Sequence, residues 1–311
     1  MKVLVVGAGA VGGFIAARLG TGGSDVAVLV RPRRADTLRR TGLVLREGQG
    51  TSVTGPAVVT AAELGPGYDA VILAVKADGL GGAMDDIAPA VTDAAMVLPF
   101  LNGMEHLDRL TARFGSSVLG GVLRVATELD PDNSIRVLAP GFGVDLGELD
   151  GRPSARAEDL AAAFRSAGAQ VSVSADIVGA MWAKWVYIAT IGAVTGLMRA
   201  PVGDIVAVPG GAAFAGGVLA EAGAIASAAG HPVPEPQLKA TEGAVTASGS
   251  PLTSSLSRDL LAGRRTEVEA VLGDLADRAG RLGVDAPLLA VATLALRVHN
   301  AQLAAPEPNR G

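Results

Sequence analysis

Residues 1–13 read Met-Lys-Val-Leu-Val-Val-Gly-Ala-Gly-Ala-Val-Gly-Gly, a short apolar run followed at once by closely spaced glycines. The apolar run lacks polar alternation, which is typical of a strand that is buried on both faces of a parallel sheet. Gly7 permits a tight turn, Gly9 lets a pyrophosphate approach the backbone, and Gly12 lets the next helix pack on the strand. The pattern predicts a dinucleotide-binding loop.

The surroundings of the glycines favour this interpretation over a purely structural turn. Chance matches to the spacing are expected, because the chain has 42 glycines in 311 residues. Here a strand precedes the glycines, and residues 11–19 continue as an apolar helix whose first N–H groups would face an anion. The residues expected to contact the nucleotide are Gly7, Ala8, Gly9, Ala10, Val11 and Gly12.

Composition limits the domain organisation and the classes of function. A chain of 311 residues exceeds a typical single core, so two domains are expected. The net charge of −5 argues against a surface for nucleic acid or anionic membrane. The chain has no cysteine, which excludes disulfides and thiolate chemistry, and its three histidines lack ligand spacing, so no metal site is expected.

The longest apolar stretch, Ile177–Met198, carries Lys184 near its middle. We interpret it as a buried helix rather than a membrane span. The first strand begins almost at Met1, which leaves no room for a signal peptide. Both features lead us to expect a cytoplasmic protein without membrane contact.

Arginines follow the second predicted strand, which covers residues 25–30 and leads into Arg31-Pro32-Arg33-Arg34. In dinucleotide-binding folds an acidic residue at this point binds the ribose hydroxyls, whereas arginine accommodates a 2′-phosphate. The acidic residue is absent and three arginines stand within four residues, so NADP(H) is favoured over NAD(H). For Arg33 and Arg34 the alternative is a solvated basic turn.

Two further buried strands lead to polar residues. Residues 68–76 end at Lys76, and residues 95–98 lead to Asn102. Because ligands of open α/β sheets bind at the carboxyl ends of strands, both residues are candidates for the nucleotide crevice. Residues 135–149 are expected to add antiparallel strands that close the sheet.

The predicted fold class is α/β, with a Rossmann-type domain followed by an all-α domain. Residues 1–175 are expected to form the NADP(H)-binding domain. The pattern from 176 to 303 is helical, including one helix over 266–283, and predicts a domain for substrate and catalysis. Residues 304–311 are expected to be a disordered tail.

Two parts of the helical region carry candidates for chemistry. Lys184 lies among the large apolar side chains of residues 181–188, so it must reach water or a polar cleft. Desolvation lowers the pKa of a lysine, which suits a general acid that protonates a carbonyl oxygen. In residues 253–269, Ser255 is a candidate to bind a carboxylate and Glu267 to orient an ammonium group. The alternative there is a capping serine followed by a charged helix.

Short motifs follow one another along the chain in a definite order. They are Gly7-x-Gly9-x-x-Gly12, Arg31, Val75-Lys76-Ala77, Asn102-Gly103-Met104, Trp182-x-Lys184, Pro201-x-Gly203-Asp204, Ser254-Ser255-Leu256-x-x-Asp259 and Arg265-Thr266-Glu267. Each is modest alone, but the ordered set resembles the ketopantoate reductase (2-dehydropantoate 2-reductase) family. The resemblance implies a Rossmann domain, a helical domain and NADPH-dependent reduction of a branched 2-keto acid to its 2-hydroxy acid.

The resemblance also implies roles for single residues. Lys184 would be the general acid that polarises the ketone. Glu267 would hold Lys184 or contact the cofactor ribose. Ser255 would bind the substrate carboxylate, and Asn102 would bridge the substrate and the nicotinamide ribose.

On the cofactor side, the resemblance implies that Arg31 and Lys76 face the 2′-phosphate end and that Ala126 touches the cofactor through its backbone. The hydride comes from the nicotinamide, so the protein supplies orientation and electrostatics. The expected partners are a small-molecule 2-keto acid and a second copy of the chain in a homodimer.

The chain departs from the family where asparagines often follow the catalytic lysine. Ile188 and Gly192 stand one and two helical turns after Lys184, and Val202 replaces a further asparagine. Leu101 replaces a glutamine that often precedes Asn-Gly. The predicted substrate pocket is therefore more apolar than is usual in the family.

Loss of hydrogen-bonding groups from a pocket can change its substrate. The residues that are candidates to compensate are Tyr187, Thr190 and Thr195. The favoured function is reduction of ketopantoate to pantoate, in pantothenate biosynthesis. The alternatives are a same-fold NADP-dependent reductase or dehydrogenase for a more apolar 2-keto or 3-hydroxy acid, and a non-catalytic NADP(H)-binding protein.

Overall fold

A computed structural model describes residues 1–304 of the chain. Its first half alternates strands and helices. In chain order these elements are β1 (Lys2–Val6), α1 (Ala10–Thr21), β2 (Asp25–Leu29), α2 (Pro32–Thr41), β3 (Leu43–Glu47), β4 (Gly50–Thr54), β5 (Ala57–Val59), β6 (Ala70–Leu73), α3 (Leu80–Ile87), β7 (Met96–Pro99), α4 (Glu105–Phe114), β8 (Leu119–Arg124), β9 (Thr127–Leu129), β10 (Ile135–Val137), β11 (Gly143–Glu148), α5 (Ala155–Ser166) and β12 (Gln170–Val173).

A five-stranded sheet in the order β5-β2-β1-β6-β7 forms the centre of this half. Every pairing in it is parallel. Val3–Val6 of β1 are buried on both faces, which explains the continuous apolar run in the sequence. The carboxyl ends of β1, β2 and β6 lie side by side, since Val6 pairs with Leu29 and with Leu73. The predicted Rossmann-type sheet is confirmed.

The antiparallel strands expected within residues 135–149 are present, but neither pairs directly with this sheet; the sheet that holds β11 meets it at an isolated parallel bridge between Val97 and Val118. β10 pairs antiparallel with β9 and parallel with β3 in a four-stranded sheet. β11 pairs antiparallel with β8 and parallel with β12 in a three-stranded sheet. Short strands that read alike in sequence took different partners, because pairing depends on tertiary packing rather than on local pattern.

The second half is helical, which confirms the predicted all-α region. Its elements are α6 (Ile177–Met198), α7 (Val202–Val206), α8 (Gly211–Ala228), α9 (Glu235–Val245), α10 (Ser255–Leu261), a π-helical turn (Glu269–Gly273), α11 (Asp274–Leu282) and α12 (Pro287–Ala304). The single helix expected over 266–283 begins at Val268 and continues to Leu282, and its first part is the π-helical turn. The predicted tail, except Ala304, lies outside the described residues.

The chain divides into two compact units. The first, here the nucleotide unit, comprises Met1–Leu101 and His106–Ala180. The second, here the helical unit, comprises Asn102–Glu105 and the chain from Met181 onward. The short segment Asn102–Glu105 thus belongs with the helices, although it follows β7. The domain limits expected from sequence, 1–175 and 176–303, stay a prediction.

Two helices of the described chain, α6 and α8, are long and apolar enough to cross a membrane by length and composition alone. In α6, 61% of the apolar window is buried inside the protein. Because the core helices of soluble proteins pass the same test, this is a weak indication of a membrane span.

Candidate active site

A cavity of about 620 Å³ lies in the nucleotide unit at the carboxyl ends of β1, β2 and β6. The predicted cofactor residues on its wall are Gly7, Ala8, Gly9, Arg31 and Lys76. Further wall residues with charged or polar side chains are Arg34, Asp78, Asp86 and Asn133. The position matches the crevice where open α/β sheets bind their ligands.

Each of the three glycines in the loop is explained by a different structural feature. Gly7 has a φ of +90°, which side chains disfavour. A Cβ on Gly12 would lie 2.0 Å from the carbonyl oxygen of Gly7, so only glycine lets α1 approach the loop. A Cβ on Gly9 would meet no atom within 4 Å, although Gly9 lines the cavity. The space above Gly9 is therefore open for a ligand, as a bound pyrophosphate requires. Ala10 and Val11 form the first turn of α1.

The basic stretch after β2 is the start of a helix rather than a solvated turn. Arg31 is the N-cap residue of α2, and Pro32 stands at the first helical position. Arg34, one turn on, is half-buried, and its Nη2 donates a hydrogen bond to the carbonyl oxygen of Ala8 at 3.2 Å. Burial lowers the pKa of the Arg34 guanidinium. Two arginines and Lys76 therefore present positive charge on one cavity wall.

Arg34 is a site residue that sequence reasoning did not single out. The three arginines were the signal, but only the geometry of α2 distinguishes Arg34, which lines the cavity, from Arg33, which is exposed. Ala126 is half-buried in the nucleotide unit between β8 and β9, and its carbonyl oxygen accepts a hydrogen bond from the Leu138 N–H at 2.8 Å. The cofactor role of Ala126 stays a prediction.

In the helical unit, Lys184 lies on α6 and is half-buried. Along the chain it stands between Trp182 and Trp185. Trp182 and Trp185 are buried, and their rings pack with centroids 4.9 Å apart. The Trp185 indole Nε1 donates a hydrogen bond to the carbonyl oxygen of Val271, in the π-helical turn, at 2.8 Å. The Arg278 guanidinium lies over both rings, 5.7 Å and 5.6 Å from their centroids. The lysine thus stands on a helix fixed by its neighbours.

Asn102 and Glu267 belong to the same unit and are both half-buried. Gly103, next to Asn102, has a φ of +79°, and a Cβ on it would lie 2.1 Å from the carbonyl oxygen of Ala270. Glu267 follows Thr266, whose backbone N–H and carbonyl are bonded by the Asn300 side chain at 2.8 and 2.9 Å. Asn102 and Glu267 are therefore both attached closely to the π-helical turn.

The sequence left two interpretations open for the serines at the start of α10, a helix cap and a ligand for a carboxylate. Ser254 is the N-cap, and its hydroxyl accepts a hydrogen bond from the Ser257 N–H at 2.9 Å. Ser255 is exposed, and its hydroxyl has no hydrogen-bond partner within residues 1–304. The capping role falls to Ser254, which leaves the Ser255 hydroxyl available to a ligand.

The threonines expected to compensate for the missing asparagines do not have available hydroxyls. The Thr190 hydroxyl donates to the Val186 carbonyl oxygen at 2.8 Å. The Thr195 hydroxyl lies 2.7 Å from the Ile191 carbonyl oxygen and 2.9 Å from the Ser254 hydroxyl. Both threonines are fully buried, so the expectation is wrong for them.

Two of the three positions where asparagine is replaced, Gly192 and Val202, offer no polar side chain either. A Cβ on Gly192 would lie 3.0 Å from Leu256 Cδ1, so Leu256 fills the space next to this glycine. Val202 is fully buried. Tyr187 remains partly exposed, and burial of the rest of its ring raises the pKa of the phenol. Tyr187 is thus the remaining candidate among the three hydroxyl residues.

The parallel sheet, the glycine-loop cavity and the helical unit define a Rossmann-type dinucleotide-binding protein with a helical second half. Residues 3–151 match the family model described as ketopantoate reductase PanE/ApbA, and residues 176–300 match the model of its C-terminal part. The chain belongs to the ketopantoate reductase family of oxidoreductases.

Individual relatives agree with this assignment. The uncharacterized oxidoreductase YkpB of Bacillus subtilis is 34% identical over 303 residues, covering 97% of this chain and 100% of its own. The 2-dehydropantoate 2-reductase of Mesorhizobium japonicum is 32% identical over 310 residues, covering 92% of this chain and 93% of its own. The crystal structure of a PanE/ApbA family ketopantoate reductase from Ralstonia eutropha has a TM-score of 0.88 at 28% identity, covering 98% of this chain and 100% of its own.

Proposed function

We propose that this protein reduces a 2-keto acid to a 2-hydroxy acid with NADPH as the hydride donor. The observation that carries the proposal is the glycine-loop cavity, whose wall combines open space at Gly9 with the cations Arg31, Arg34 and Lys76. Backbone N–H groups at the start of α1 suit a pyrophosphate, and the cations suit a 2′-phosphate. Asp78 and Asp86 line the same cavity and would repel a phosphate, so a phosphate bound there needs the positive charge of the two arginines and Lys76.

The helical unit supplies the acid chemistry in this proposal. When bound, NADPH supplies the hydride that attacks the carbonyl carbon. The Lys184 ammonium donates a hydrogen bond to the ketone oxygen and transfers one proton to it as negative charge develops there. Water then reprotonates the lysine. The half-buried position of Lys184 strengthens this interaction, because fewer water molecules screen it.

Three further residues of the helical unit would orient the reactants. Ser255 offers its exposed hydroxyl at the start of α10 to the substrate carboxylate. Asn102 bridges the substrate and the nicotinamide ribose, and Glu267 holds the lysine ammonium or contacts the ribose. The support for these roles is the family resemblance together with the common attachment of Asn102 and Glu267 to the π-helical turn.

The family favours ketopantoate as the substrate, with pantoate as the product. A second candidate is a 2-keto acid with a purely hydrocarbon side chain, and one observation favours it. The hydroxyls of Thr190 and Thr195 are engaged inside the protein, and Ile188 and Gly192 have no hydrogen-bonding side chain. A pocket that has Tyr187 as its only remaining hydroxyl candidate among these described residues gains less from the ketopantoate hydroxyl than one with asparagines.

The test is steady-state oxidation of NADPH with ketopantoate and with trimethylpyruvate, its analogue that lacks only the hydroxyl. A site that bonds the hydroxyl rejects the deoxy analogue strongly, by about 10⁴-fold in kcat/KM, whereas an apolar pocket discriminates by about 10²-fold or less. Preference for ketopantoate supports the family reaction, and comparable turnover of both supports the apolar candidate. No turnover of either, with tight NADPH binding, contradicts the proposed enzyme and favours a non-catalytic NADP(H)-binding protein.

The remaining assignments concern the setting of the enzyme. We propose a cytoplasmic homodimer with a small 2-keto acid as its other partner, and no nucleic acid, membrane or metal partner. Support for the dimer comes from α12, where Val291, Leu294 and Val298 are exposed at i, i+3 and i+7. Light scattering at several protein concentrations tests the assembly.

A further inference from the structure

The π-helical turn Glu269–Gly273 touches the neighbours of two proposed active-site residues. Its widened geometry is visible in the bond from the Asp274 N–H to the Glu269 carbonyl oxygen, five residues back. From outside the turn, the Val271 carbonyl oxygen accepts the Trp185 indole N–H at 2.8 Å. Next to it, the Ala270 carbonyl oxygen lies where a side chain on Gly103 would have to stand. One carbonyl of the turn therefore binds the residue beside Lys184, and the adjacent carbonyl packs closely against the residue beside Asn102.

The turn is anchored to α12 at two places, one ahead of it and one within it. Ahead of it, Thr266 is held by Asn300, and the Glu267 carbonyl oxygen accepts the Val271 N–H at 3.2 Å. Within it, the Glu269 carboxylate is bound by Arg297 through Nε at 2.9 Å and Nη2 at 2.6 Å. A turn held in this way is a fixed reference for the groups attached to it.

The rotation and axial position of α6 require a directional contact of this kind. The helix is buried mainly through apolar and small side chains, and apolar contacts are not directional, so they define rotation and axial position weakly. The Trp185 hydrogen bond is directional and buried, and it acts at the residue next to Lys184. The ring of Trp185 is also held from the Arg278 side.

We propose that Trp185 is a positioning residue, which through the Val271 carbonyl of the π-helical turn sets the place of Lys184 relative to Asn102 and Glu267. This inference rests on the proposed role of Lys184 in reduction. Trp185 itself touches no reactant in this scheme. Its N–H fixes the helix, and the turn relates the three active-site residues to one another.

The test replaces the donor and keeps the ring, in Trp185→Phe. We expect kcat to fall about tenfold or more, because small misplacements of a catalytic group are costly. The KM for NADPH should stay within about twofold, since the glycine-loop cavity belongs to the nucleotide unit. The matched control is Trp182→Phe, another buried tryptophan of α6, whose indole N–H has no hydrogen-bond partner within residues 1–304. In the control both constants should stay within about twofold.

A second variant covers the case in which Trp185→Phe does not fold. The chain has two tryptophans, so in the Trp182→Phe background benzothienylalanine enters only at 185 and replaces the indole N–H by sulfur at nearly constant volume. The same loss of kcat is expected. Wild-type kcat in this protein, or an equal loss in Trp182→Phe alone, would overturn the proposal.

A readout without substrate separates this inference from the proposed function. Trace labelling of lysines with acetic anhydride gives the reactivity of Lys184 relative to exposed Lys239 on α9. We expect that ratio to change about threefold or more when the Trp185 N–H is removed and to be unaltered in Trp182→Phe. If the wild-type enzyme reduces no 2-keto acid, the proposed function fails, and an unchanged labelling ratio would separately refute the positioning role.

Discussion

Replacing Gly9 by alanine adds a methyl group to the cavity wall at no steric cost to the fold. The added Cβ would meet no atom within 4 Å, and the φ of −80° at Gly9 is allowed for alanine. The free energy of unfolding should therefore change by less than about 0.5 kcal/mol. If the methyl group removes two charge-assisted hydrogen bonds to the pyrophosphate, at about 1.5 kcal/mol each, NADPH binding weakens by about 3 kcal/mol, or about a hundredfold in Kd.

Replacing Gly12 by alanine has the opposite profile. The new Cβ would lie 2.0 Å from the Gly7 carbonyl oxygen, and to reach an acceptable 3.0 Å, α1 and the loop must separate by 1.0 Å. Such overpacking costs about 1–3 kcal/mol of stability, which lowers Tm by roughly 2–12 °C. NADPH binding also weakens here, because the loop moves with the helix.

Thermal unfolding by circular dichroism and NADPH titration by fluorescence measure both quantities on each variant. The matched control is Gly20→Ala, also on α1, where a Cβ meets no atom within 4 Å and the position is exposed. It should bind NADPH as the wild type does and be more stable by about 0.5–1 kcal/mol. Unchanged NADPH affinity in Gly9→Ala would refute the assignment of the pyrophosphate to this loop, and unchanged stability in Gly12→Ala would refute the packing argument.

The other predictions concern charge. Lys184→Ala should lower kcat by about 10²- to 10⁴-fold with NADPH affinity nearly intact, and a wild-type rate would remove its role as general acid. Arg31→Ala should weaken NADPH about tenfold and NADH much less, as isothermal titration would measure, whereas equal losses would contradict the 2′-phosphate assignment. Hydrogen bonds from Ser134 lower the pKa of Asp132 from 3.8 to about 2. Because the pKa is lower in the folded protein, the ionised carboxylate stabilises the fold above pH 3.8, and this stabilisation is lost as the pH falls to about 2. In Asp132→Asn, the free energy of unfolding should therefore depend less on pH between 3.8 and about 2, as acid unfolding would measure.

The glycine loop and the central sheet were predictable because local pattern and tertiary role coincide there. A strand buried on both faces must be apolar throughout, and Gly7 must be glycine because its φ is +90°. The charged character of the cavity was also readable, since Arg31 and Lys76 follow directly on strands of known direction. In the glycine loop and at the strand ends, residues that are close in the sequence are also close together at the cavity.

The rest of the site depends on contacts between distant parts of the chain. Gly103 is glycine because of the Ala270 carbonyl, and the widened turn at Glu269–Gly273 has no signal in a helical pattern. Thr195 reads as an available hydroxyl until its partner Ser254, far along the chain, is known. Such pairings follow from packing, which local propensity does not encode.

Because the proposed cofactor residues and the proposed catalytic residues lie in different units, variants in the two units should change different constants. The glycine loop and the arginines belong to the nucleotide unit, whereas Asn102, Lys184, Ser255 and Glu267 belong to the helical unit. Changes in the first group should raise the Kd for NADPH in the absence of substrate. Changes to Lys184 and Trp185 should lower kcat at saturating cofactor. Since Asn102 follows β7 directly but is part of the helical unit, it is the residue through which the two sets of effects should mix, and Asn102→Ala should alter both constants together.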